Sequence, residues 1–434
     1  MKNTKIVYIG LSADSIHHGH MKLLEKARQH GEILIGLLTD KAIMQTKRIP
    51  NLNFEQRKKI LLNFKGVTKV VPQLEGDYSH NIKKYKPDYM IHGDDWKKGY
   101  ENIFRKNCIK ALKKYGGKLI EVPYTQGVSS SSIAKQLNST TITADIRRGL
   151  LKRLLESKTI LRFLESHSPI SAIIAENVSY YKKGKKIGFD GFWSSSLTDS
   201  TALGKPDNES LENSQRLAGI DQIFDVTTKP LIFDGDTGGK IDHLDMKIKS
   251  MERLGISAVI FEDKTGLKQN SLHQNTSSQT QEDKKKFTEK IILANKAKRS
   301  DDFMVFARIE SLILGKPLKD ALDRANMYAG SGADGVMIHS KSKDPREIFD
   351  FAKNFRKNFP NVPLVCVPST YNQVREKELI DRGFDIVIYA NHMMRASYPA
   401  MEKVALKILK YGRSKEANND LYPIKNILDL IPGK

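Results

Sequence analysis

Carboxylate and guanidinium side chains follow three apolar segments in the second half of the sequence, at the point where each segment ends. Asp234 and Asp236 follow the first segment, Glu262 the second and Arg308 the third. Apolar runs of this length predict buried strands, and the carboxyl ends of strands carry the chemistry of parallel barrels. Since Mg²⁺ prefers oxygen ligands, the pattern predicts a Mg²⁺ site. Asp236 is the expected direct ligand, with Asp234 and Glu262 acting directly or through water. The alternative is a structural carboxylate cluster at a helix N-terminus.

Polar residues near the ends of other apolar segments can bind an anion. Phe189–Trp193 is followed by small residues, Ser194–Ser196, whose backbone N–H groups can cradle an anion. Arg308 can bind carboxylate or phosphate through two hydrogen bonds, and Glu310 is placed to orient it and to contact a substrate. Another segment ends at His339. An isolated histidine is more often structural, but a position at a strand end favours a functional role.

The segment Glu262–Ser271 contains Glu-Asp-Lys, five residues and then Asn-Ser. This pattern, with further stretches in the expected order around it, resembles the phosphoenolpyruvate mutase branch of the isocitrate lyase superfamily over about residues 145–415. The resemblance implies a (β/α)8 TIM-type barrel that uses Mg²⁺ to convert phosphoenolpyruvate into 3-phosphonopyruvate. The residues that it implies are Asp207, Lys268, Asn270 and Arg308 for catalysis, and Trp193, Ser195, Ser196, Leu197, Ser271, Glu310 and His339 for substrate binding.

Two other activities of the same superfamily are the alternatives for the barrel, namely phosphonopyruvate hydrolysis and carbon–carbon bond cleavage. The hydrolases generally lack the asparagine that stands here at Asn270. Isocitrate lyases carry a catalytic cysteine on this loop, whereas this chain has no cysteine between Cys108 and Cys366. A glycine is usual at the position of Ser196. The resemblance therefore favours the mutase.

Two histidines at the start of a predicted helix give the first part of the chain a chemistry of its own. His17 and His20 flank Gly19, and a helix N-terminus offers unpaired N–H groups and a positive dipole end to a phosphate. Two imidazoles at this spacing can stabilise charge that develops on an α-phosphorus. The alternatives are a zinc pair or surface histidines. Zinc is disfavoured because no cysteine or third clustered ligand follows.

The strand–loop–helix–strand order of this part predicts a parallel, Rossmann-like α/β sheet. Five short segments resemble the motifs of cytidylyltransferases of the glycerol-3-phosphate type and occur in the same order along the chain. This resemblance implies CTP as co-substrate. The last motif has Tyr124 where the family usually has arginine. The alternative is a domain that binds or senses a nucleotide without catalysis. The implied residues are His17, His20 and Lys47 for catalysis, Arg57 for substrate binding, and Gly10, Asp14, Gly19, Gly93, Asp94, Trp96, Ser129, Ser130 and Ser131 for nucleotide binding.

Length and composition bound the remaining expectations. The 434 residues predict a nucleotidyltransferase domain over residues 1–140 and a barrel over residues 141–434, with the run Pro169–Ala175 at the start of the barrel. The net charge of +22 comes from scattered lysines, which are typical of a solvated surface that attracts anionic metabolites, so we expect no nucleic-acid partner. No apolar run is long enough to cross a bilayer, and we expect no membrane partner. The two distant cysteines favour reduced thiols and a cytoplasmic protein.

Together these patterns predict a bifunctional enzyme of phosphonate biosynthesis, similar to those of fosfomycin-type pathways. The barrel would make phosphonopyruvate from phosphoenolpyruvate. The first domain would transfer CMP from CTP to a phosphonate such as 2-hydroxyethylphosphonate. We also expect a homo-oligomer, a dimer or a tetramer, assembled through the barrel.

Overall fold

The structure is a computed structural model that describes residues 4–45, 49–97, 101–123, 142–182, 185–266, 268–271 and 279–430. The chain divides into two compact units. The first unit comprises Met1–Ile142, Arg153–Lys158 and Ser179–Gly188, and the second comprises Thr143–Lys152, Thr159–Val178 and Phe189–Lys434. Within the described ranges, no helix is both long and apolar enough to cross a membrane.

The first unit is built on a parallel five-stranded sheet with the strand order β3-β2-β1-β4-β5. The strands are β1 (Ile6–Leu11), β2 (Glu32–Leu38), β3 (Val67–Gln73), β4 (Tyr89–Gly93) and β5 (Lys118–Val122). The strand order reverses between β1 and β4, and open α/β sheets bind ligands beyond the carboxyl ends of the strands at such a point. The predicted Rossmann-like sheet is confirmed.

Helices cover both faces of this sheet. They are α1 (His18–Arg28), α2 (Asp40–Ile43), α3 (Phe54–Leu62), α4 (Ser79–Tyr85) and α5 (Asn102–Lys113). Val7 and Ile9 of β1 pack in one core with Leu24 of α1, while Tyr8 packs in a second core with Ile82 of α4. Successive strand residues point to opposite faces, so an unbroken apolar strand is the expected consequence of helices on both sides. A two-stranded hairpin, β7 (Ser179–Lys182) and β8 (Lys185–Gly188), is also part of this unit.

The second unit is a closed barrel of eight parallel strands. They are β6 (Leu161–Glu165), β9 (Gly191–Ser194), β10 (Leu231–Asp234), β11 (Ala258–Glu262), β14 (Met304–Ile309), β15 (Gly335–Ile338), β16 (Leu364–Cys366) and β17 (Ile386–Tyr389). A short antiparallel pair, β12 (Lys264–Thr265) and β13 (Thr280–Gln281), follows β11. The predicted barrel is confirmed.

Further helices lie along residues 144–430, and several of them pack against the barrel strands in an apolar core. They are α6 (Ala144–Ser157), α7 (Pro169–Asn177), α8 (Ser196–Ala202), α9 (Asn213–Asp225), α10 (Leu244–Leu254), α11 (Lys284–Ala297), α12 (Leu318–Gly330), α13 (Arg346–Asn358), α14 (Glu376–Asp381), α15 (His392–Tyr411) and α16 (Ile424–Leu430). The barrel begins earlier than predicted, because Pro169–Ala175 lies in α7 and the first strand is β6. Ser168 caps α7 and Pro169 occupies its first turn, which is the ordinary start of a helix.

Candidate active sites

A cavity opens at the carboxyl ends of the barrel strands, where the predicted site residues of this unit meet. The predicted residues that line it are Trp193, Ser195, Ser196, Leu197, Asp207, Asp234, Asp236, Glu262, Lys268, Asn270, Ser271, Arg308 and His339. They come from the ends of β9, β10, β11, β14 and β15 and from the segments that follow. The parallel barrel therefore brings residues that are far apart in sequence to one mouth.

The three predicted metal-side carboxylates lie on neighbouring strand ends. Asp234 is the last residue of β10 and Glu262 is the last residue of β11. The N–H of Asp236 donates to Asp234 Oδ1 at 3.3 Å, and its carbonyl accepts from the N–H of Glu262 at 2.8 Å. Asp236 has φ = 51°, a left-handed conformation that is strained for a residue other than glycine. The two strand ends therefore hold Asp236 in an unfavourable backbone conformation.

Lys268 joins the two segments that border the cavity. Its ammonium donates to Asp207 Oδ1 at 2.7 Å and to Ser196 Oγ at 2.5 Å, and it contacts Asp236 Oδ1. Asn270 Nδ2 donates to the other oxygen of Asp207 at 2.8 Å. Burial lowers the pKa of Lys268, but the nearby aspartates outweigh burial and the pKa is raised. Lys268 is therefore a buried, charged ammonium at the centre of the site.

Arg308 is held on the opposite side of the cavity by a dense polar network. Its Nε donates to Glu310 Oε1 at 2.6 Å and its Nη2 donates to Ser271 Oγ at 2.8 Å. Glu310, which was predicted to orient Arg308 and to contact substrate, is not among the residues that line the cavity. It has no exposed surface, and its carboxylate also accepts from Ser271 Oγ at 2.6 Å and faces the Lys264 ammonium at 3.4 Å. Glu310 orients Arg308 from behind the cavity.

His339 faces the cavity as a neutral imidazole. Burial and the Arg308 charge lower its pKa. Arg308 Nη2 and Glu310 Oε1 lie 3.1 Å and 3.3 Å from His339 Nδ1. Because a guanidinium can only donate and a carboxylate accepts, this nitrogen has both a donor and an acceptor within reach. In the tautomer with the proton on Nε2, His339 can offer an N–H to a bound anion without carrying a charge.

Three buried residues of this site were missed by the sequence analysis. Lys264 lines the cavity and donates to Ser271 Oγ at 2.8 Å. Asp263 lies behind it and accepts from the N–H of Glu310 and from Tyr328 OH, both at 2.9 Å. Both belong to the Glu-Asp-Lys segment that the sequence analysis identified, so the sequence alone could have indicated that they belong to the site. The third, Arg216 of α9, belongs to no recognised motif.

The carboxylates around Glu262 fit a hydrated Mg²⁺. Among the described residues, no three His, Cys, Asp or Glu side chains converge closely enough to hold a metal ion unaided. Glu262 Oε1 is buried without a hydrogen-bond partner in that part of the chain, with the Lys264 ammonium 3.3 Å away. Burial raises the pKa of Glu262 to about 7, so its negative charge is incompletely balanced. Mg²⁺ usually keeps several waters and takes one or two carboxylates, and this donor set meets that need.

The first unit places its paired histidines at the predicted helix start. His17 is the N-cap of α1, where its Nδ1 accepts from the N–H of Gly19 at 3.2 Å. The N–H of His17 donates to His20 Nδ1 at 3.3 Å, and the two rings lie 4.0 Å apart. Burial and the neighbouring His18 lower the pKa of His17. The imidazoles lie beyond the carboxyl end of β1, beside the point where the strand order reverses.

The predicted nucleotide-side residues of this unit are placed differently from one another. Gly93 ends β4, Asp94 follows it in a turn, and Asp14 accepts from the N–H of Asn51 at 2.5 Å. A Cβ on Gly10 would lie 2.3 Å from the ring of Tyr78, so packing alone requires glycine there.

Trp96 and Arg57, predicted for nucleotide and substrate binding, each make buried contacts within this unit. Trp96 is buried, stacks on His92 with 3.8 Å between ring centroids, and donates to Glu121 at 3.0 Å. Arg57 has no exposed surface. It donates to three carbonyl groups, those of Ser12, Leu38 and Leu52. It also forms an ion pair with Asp40 at 2.5 Å. The predicted Lys47, Ser129, Ser130 and Ser131 lie outside the described residues.

Comparison with known proteins matches two parts of the chain to two different families. Residues 151–409 match the family described as phosphoenolpyruvate phosphomutase, and residues 8–136 match the family described as cytidylyltransferase-like. A phosphoenolpyruvate phosphomutase from Tetrahymena pyriformis is 34% identical over 259 residues, which are 59% of this chain and 82% of that protein. A glycerol-3-phosphate cytidylyltransferase from Bacillus spizizenii is 34% identical over 137 residues, which are 31% of this chain and 98% of that protein.

A solved structure has the same barrel. It is a phosphonopyruvate hydrolase in complex with oxalate and Mg²⁺, with 32% identity and a TM-score of 0.58, covering 67% of this chain and 95% of that chain. Taken with the barrel geometry and the paired histidines, these similarities identify the chain as an enzyme of the phosphoenolpyruvate phosphomutase family that also carries a domain of the cytidylyltransferase family.

Proposed function

We propose that the barrel interconverts phosphoenolpyruvate and 3-phosphonopyruvate. The observation that carries the proposal is the pair of hydrogen bonds from Lys268 and Asn270 to the two oxygens of Asp207 at the cavity. These bonds bring the segments that contain Asp207 and Asn270 together over the strand ends. An intermediate that reacts with water is protected only if such segments exclude solvent.

In this reaction the bond between phosphorus and the enol oxygen breaks, and C3 of the pyruvate enolate then forms a bond to the same phosphorus. Lys268 would balance the charge of the phosphoryl group, and Asn270 would hydrogen-bond that group without attacking it. Arg308 and the N–H of His339 would bind the carboxylate side of the enolate. Electrostatic stabilisation by positioned donors of this kind is usually the largest contribution to catalysis.

Magnesium completes the proposed site, held by Asp236 directly and by Asp234 and Glu262 directly or through water. When bound, Mg²⁺ supplies positive charge that stabilises an enolate and a transferring phosphoryl group. Glu262 Oε1, which has no hydrogen-bond partner among the described residues, and the Mg²⁺ present in the structure of the related hydrolase support this assignment.

Phosphorus NMR of the enzyme with phosphonopyruvate and Mg²⁺ tests the barrel proposal. We expect a phosphoenolpyruvate signal to appear at the expense of the phosphonate signal. Inorganic phosphate with pyruvate would instead identify a hydrolase. An unchanged phosphonate signal, with cleavage of a 2-alkylmalate or isocitrate-type acid, would identify a carbon–carbon lyase.

For the first unit, we propose transfer of CMP from CTP to a phosphonate such as 2-hydroxyethylphosphonate. An oxygen of the phosphonate would attack the α-phosphorus, the bond to the β-phosphate oxygen would break, and pyrophosphate would leave. His17 and His20 at the N-terminus of α1 would stabilise the charge on the α-phosphate. The fusion to a phosphonate-forming barrel supports a phosphonate acceptor. A pyrophosphate-release assay over four nucleotides and a panel of phosphonates tests this, and no release with any pair would favour a nucleotide sensor.

We infer that the chain forms a homo-oligomer through the barrel. No residue of α15 is buried, although it carries exposed apolar side chains such as Met401 and Leu409. The apolar face of α7, with Ile170 and Ile174, is also exposed. Exposed apolar faces of this extent mark contact surfaces, and a second copy is the occupant that we propose. Sedimentation should show a dimer or a tetramer that Leu409→Glu weakens, and a monomeric wild type would contradict it.

The free, buried Cys108 and Cys366 support the expected reducing, cytoplasmic location.

A further inference from the structure

A buried arginine lies directly behind the proposed metal-side carboxylates. Arg216, on α9, is 4% exposed, and its guanidinium carbon lies 4.1 Å from the ring centre of Phe233 in β10. Arginine stacked on an aromatic ring in this way is fixed in its plane, and its donors point in set directions. Its position therefore defines where its hydrogen-bond partners must lie.

The guanidinium of Arg216 connects two strand ends and two carboxylates. Its Nη1 donates to the carbonyl of Asp234 at 2.6 Å and to Asp236 Oδ2 at 3.3 Å. Its Nη2 donates to the carbonyl and to the hydroxyl of Ser194, both at 3.3 Å, and its Nε donates to Asp199 Oδ2 at 3.0 Å. One side chain thus joins the end of β9, the end of β10 and the strained residue Asp236.

The two oxygens of Asp236 have different partners. Oδ1 contacts the ammonium of Lys268, which lines the cavity. Oδ2 accepts from Arg216, which lies on the buried side. Lys268 belongs to a segment that follows a short strand, whereas Arg216 is anchored in a helix and against Phe233. The buried contact is therefore the fixed one, and Oδ1 is the oxygen that faces the cavity.

We propose that Arg216 is a positioning residue of the barrel site, which fixes Asp236 Oδ2 and the ends of β9 and β10 so that Asp236 Oδ1 is presented to Mg²⁺. This inference rests on the magnesium site of the proposed function. Residues that orient metal ligands from behind commonly change metal affinity by about 10–100-fold when they are replaced.

Arg147 provides a matched control for a purely structural arginine in the same unit. It is 2% exposed and its guanidinium carbon lies 4.0 Å from the ring centre of Phe224. Its hydrogen bonds go to carbonyl and hydroxyl oxygens, including the carbonyl of Lys229 at 2.9 Å and the hydroxyl of Thr227 at 3.4 Å. Burial and ring stacking match those of Arg216, while the partners lie before the start of β10 rather than at its end.

The test measures Mn²⁺ affinity by the electron paramagnetic resonance signal of the free ion, since Mn²⁺ accepts the same oxygen ligands as Mg²⁺. Arg216→Lys keeps the charge and removes the planar fork, so electrostatic attraction of the ion is preserved while the geometry is lost. We expect Arg216→Lys to weaken Mn²⁺ binding by about 10–100-fold, and Arg147→Lys to keep the wild-type affinity. Wild-type affinity in Arg216→Lys, or equal weakening in both variants, would overturn the inference.

A second measurement needs no variant. A crystal structure of the wild-type protein with Mn²⁺ should keep Arg216 on Asp236 Oδ2, with Oδ1 facing the ion. An Arg216 that has moved away from Asp236, or a wild type that binds no Mn²⁺ in the cavity, would overturn the inference. The wild type could bind Mn²⁺ more tightly than Arg216→Lys by the expected factor and still form no phosphoenolpyruvate. That result would support the role of Arg216 and contradict the proposed reaction.

Discussion

Buried charges in the barrel site are paired both within and between segments of the chain. Lys264 is 4% exposed and lies 3.3 Å from Glu262, 3.4 Å from Glu310 and 2.8 Å from Ser271 Oγ. Removing one member of a buried pair leaves the other charge without a partner, which is more costly than losing a surface pair. The consequence can be measured as a loss of folding free energy.

We expect Lys264→Met to lower the free energy of unfolding by about 3–5 kcal/mol and to abolish isomerisation, because Ser271 and Glu310 then lose the ammonium that holds them. Urea unfolding followed by circular dichroism measures the first effect. Lys249→Met is the control, since Lys249 forms an exposed helical pair with Asp245 and should cost below about 1 kcal/mol. Equal losses in the two variants would contradict the structural role of Lys264.

In the first unit, the carboxyl group of Glu121 makes the free energy of unfolding depend on pH in the acid range. Hydrogen bonds from Arg105 at 2.9 Å to each carboxylate oxygen, with one from Trp96, lower the pKa of Glu121 to about 2 from 4.5. Because the folded-state pKa is depressed, this contribution is fully present above the unfolded pKa and is lost as pH falls through the folded pKa.

We therefore expect the first unit to lose this stabilisation between pH 4.5 and about pH 2. Trp96 reports on it by fluorescence once Trp193 is replaced by Phe. In Glu121→Gln, the stability at neutral pH should be lower and the pH dependence in this window smaller. A variant with the same acid profile as its parent would show that other carboxyl groups control acid unfolding.

At the level of elements, strand ends were predictable and the first barrel strand was not. β10, β11 and β14 are apolar runs that end abruptly in charge, so their ends and the cavity followed from sequence. β6 contains Arg162 and Glu165, which interrupt the apolar pattern. In the structure, Arg162 pairs with Glu376 of α14 at 2.9 Å, a partner far away in sequence.

The same limit applies to individual site residues, because the sequence does not show which side chains become their partners. Arg216 belongs to an ordinary amphipathic helix, and only the closed barrel brings it under Asp236. Arg57 and Trp96 lie in segments that resemble family motifs, but tertiary contacts set their partners. These are three backbone carbonyl groups and Asp40 for Arg57, and Glu121 for Trp96. Glu310 was placed correctly in sequence, and its complete burial depends on Arg308, Ser271 and Lys264 closing over it.

Gly235 tests how tightly the end of β10 is packed. A Cβ at this position would lie 2.6 Å from the ring of Phe261 and from a methyl group of Val259. Gly235→Ala must therefore push β10 away from β11. We expect a loss of about 1–3 kcal/mol in unfolding free energy, and reduced isomerisation because Asp234 and Asp236 flank the shifted residue.

Gly219 in α9 is the matched control, since a Cβ there meets no atom of the described residues within 4 Å. Gly219→Ala should keep full activity and gain about 0.5–1 kcal/mol, as expected for alanine in a helix interior. If Gly235→Ala keeps wild-type activity and stability, the contacts with Phe261 and Val259 do not restrict the residue at this position.

At the scale of the whole molecule, two units with separate apolar cores each hold one candidate site. An apolar core cluster joins the barrel strands to the helices packed on them, and the five-stranded sheet has its own clusters on its two faces. The residues of each site are held by hydrogen bonds within their own unit. Asn270 Nδ2 donates a hydrogen bond to Asp207, and the N–H of His17 donates a hydrogen bond to His20 Nδ1. A substitution in one site should therefore leave the geometry of the other intact.

We expect Asn270→Ala to lower phosphoenolpyruvate formation by about 10²–10³-fold, the usual effect of removing one positioned donor, while pyrophosphate release from CTP stays at the wild-type rate. His20→Ala should show the reverse pattern, because His20 lies at the N-terminus of α1 and Asn270 lies at the barrel mouth. The exposed His18 supplies the control, since His18→Ala removes an imidazole from the same helix start without removing the pair. Phosphorus NMR and a coupled pyrophosphate assay on the same preparations measure both activities. Loss of both activities in either variant would mean that the two reactions depend on one shared site, and two independent catalytic units would then have to be abandoned.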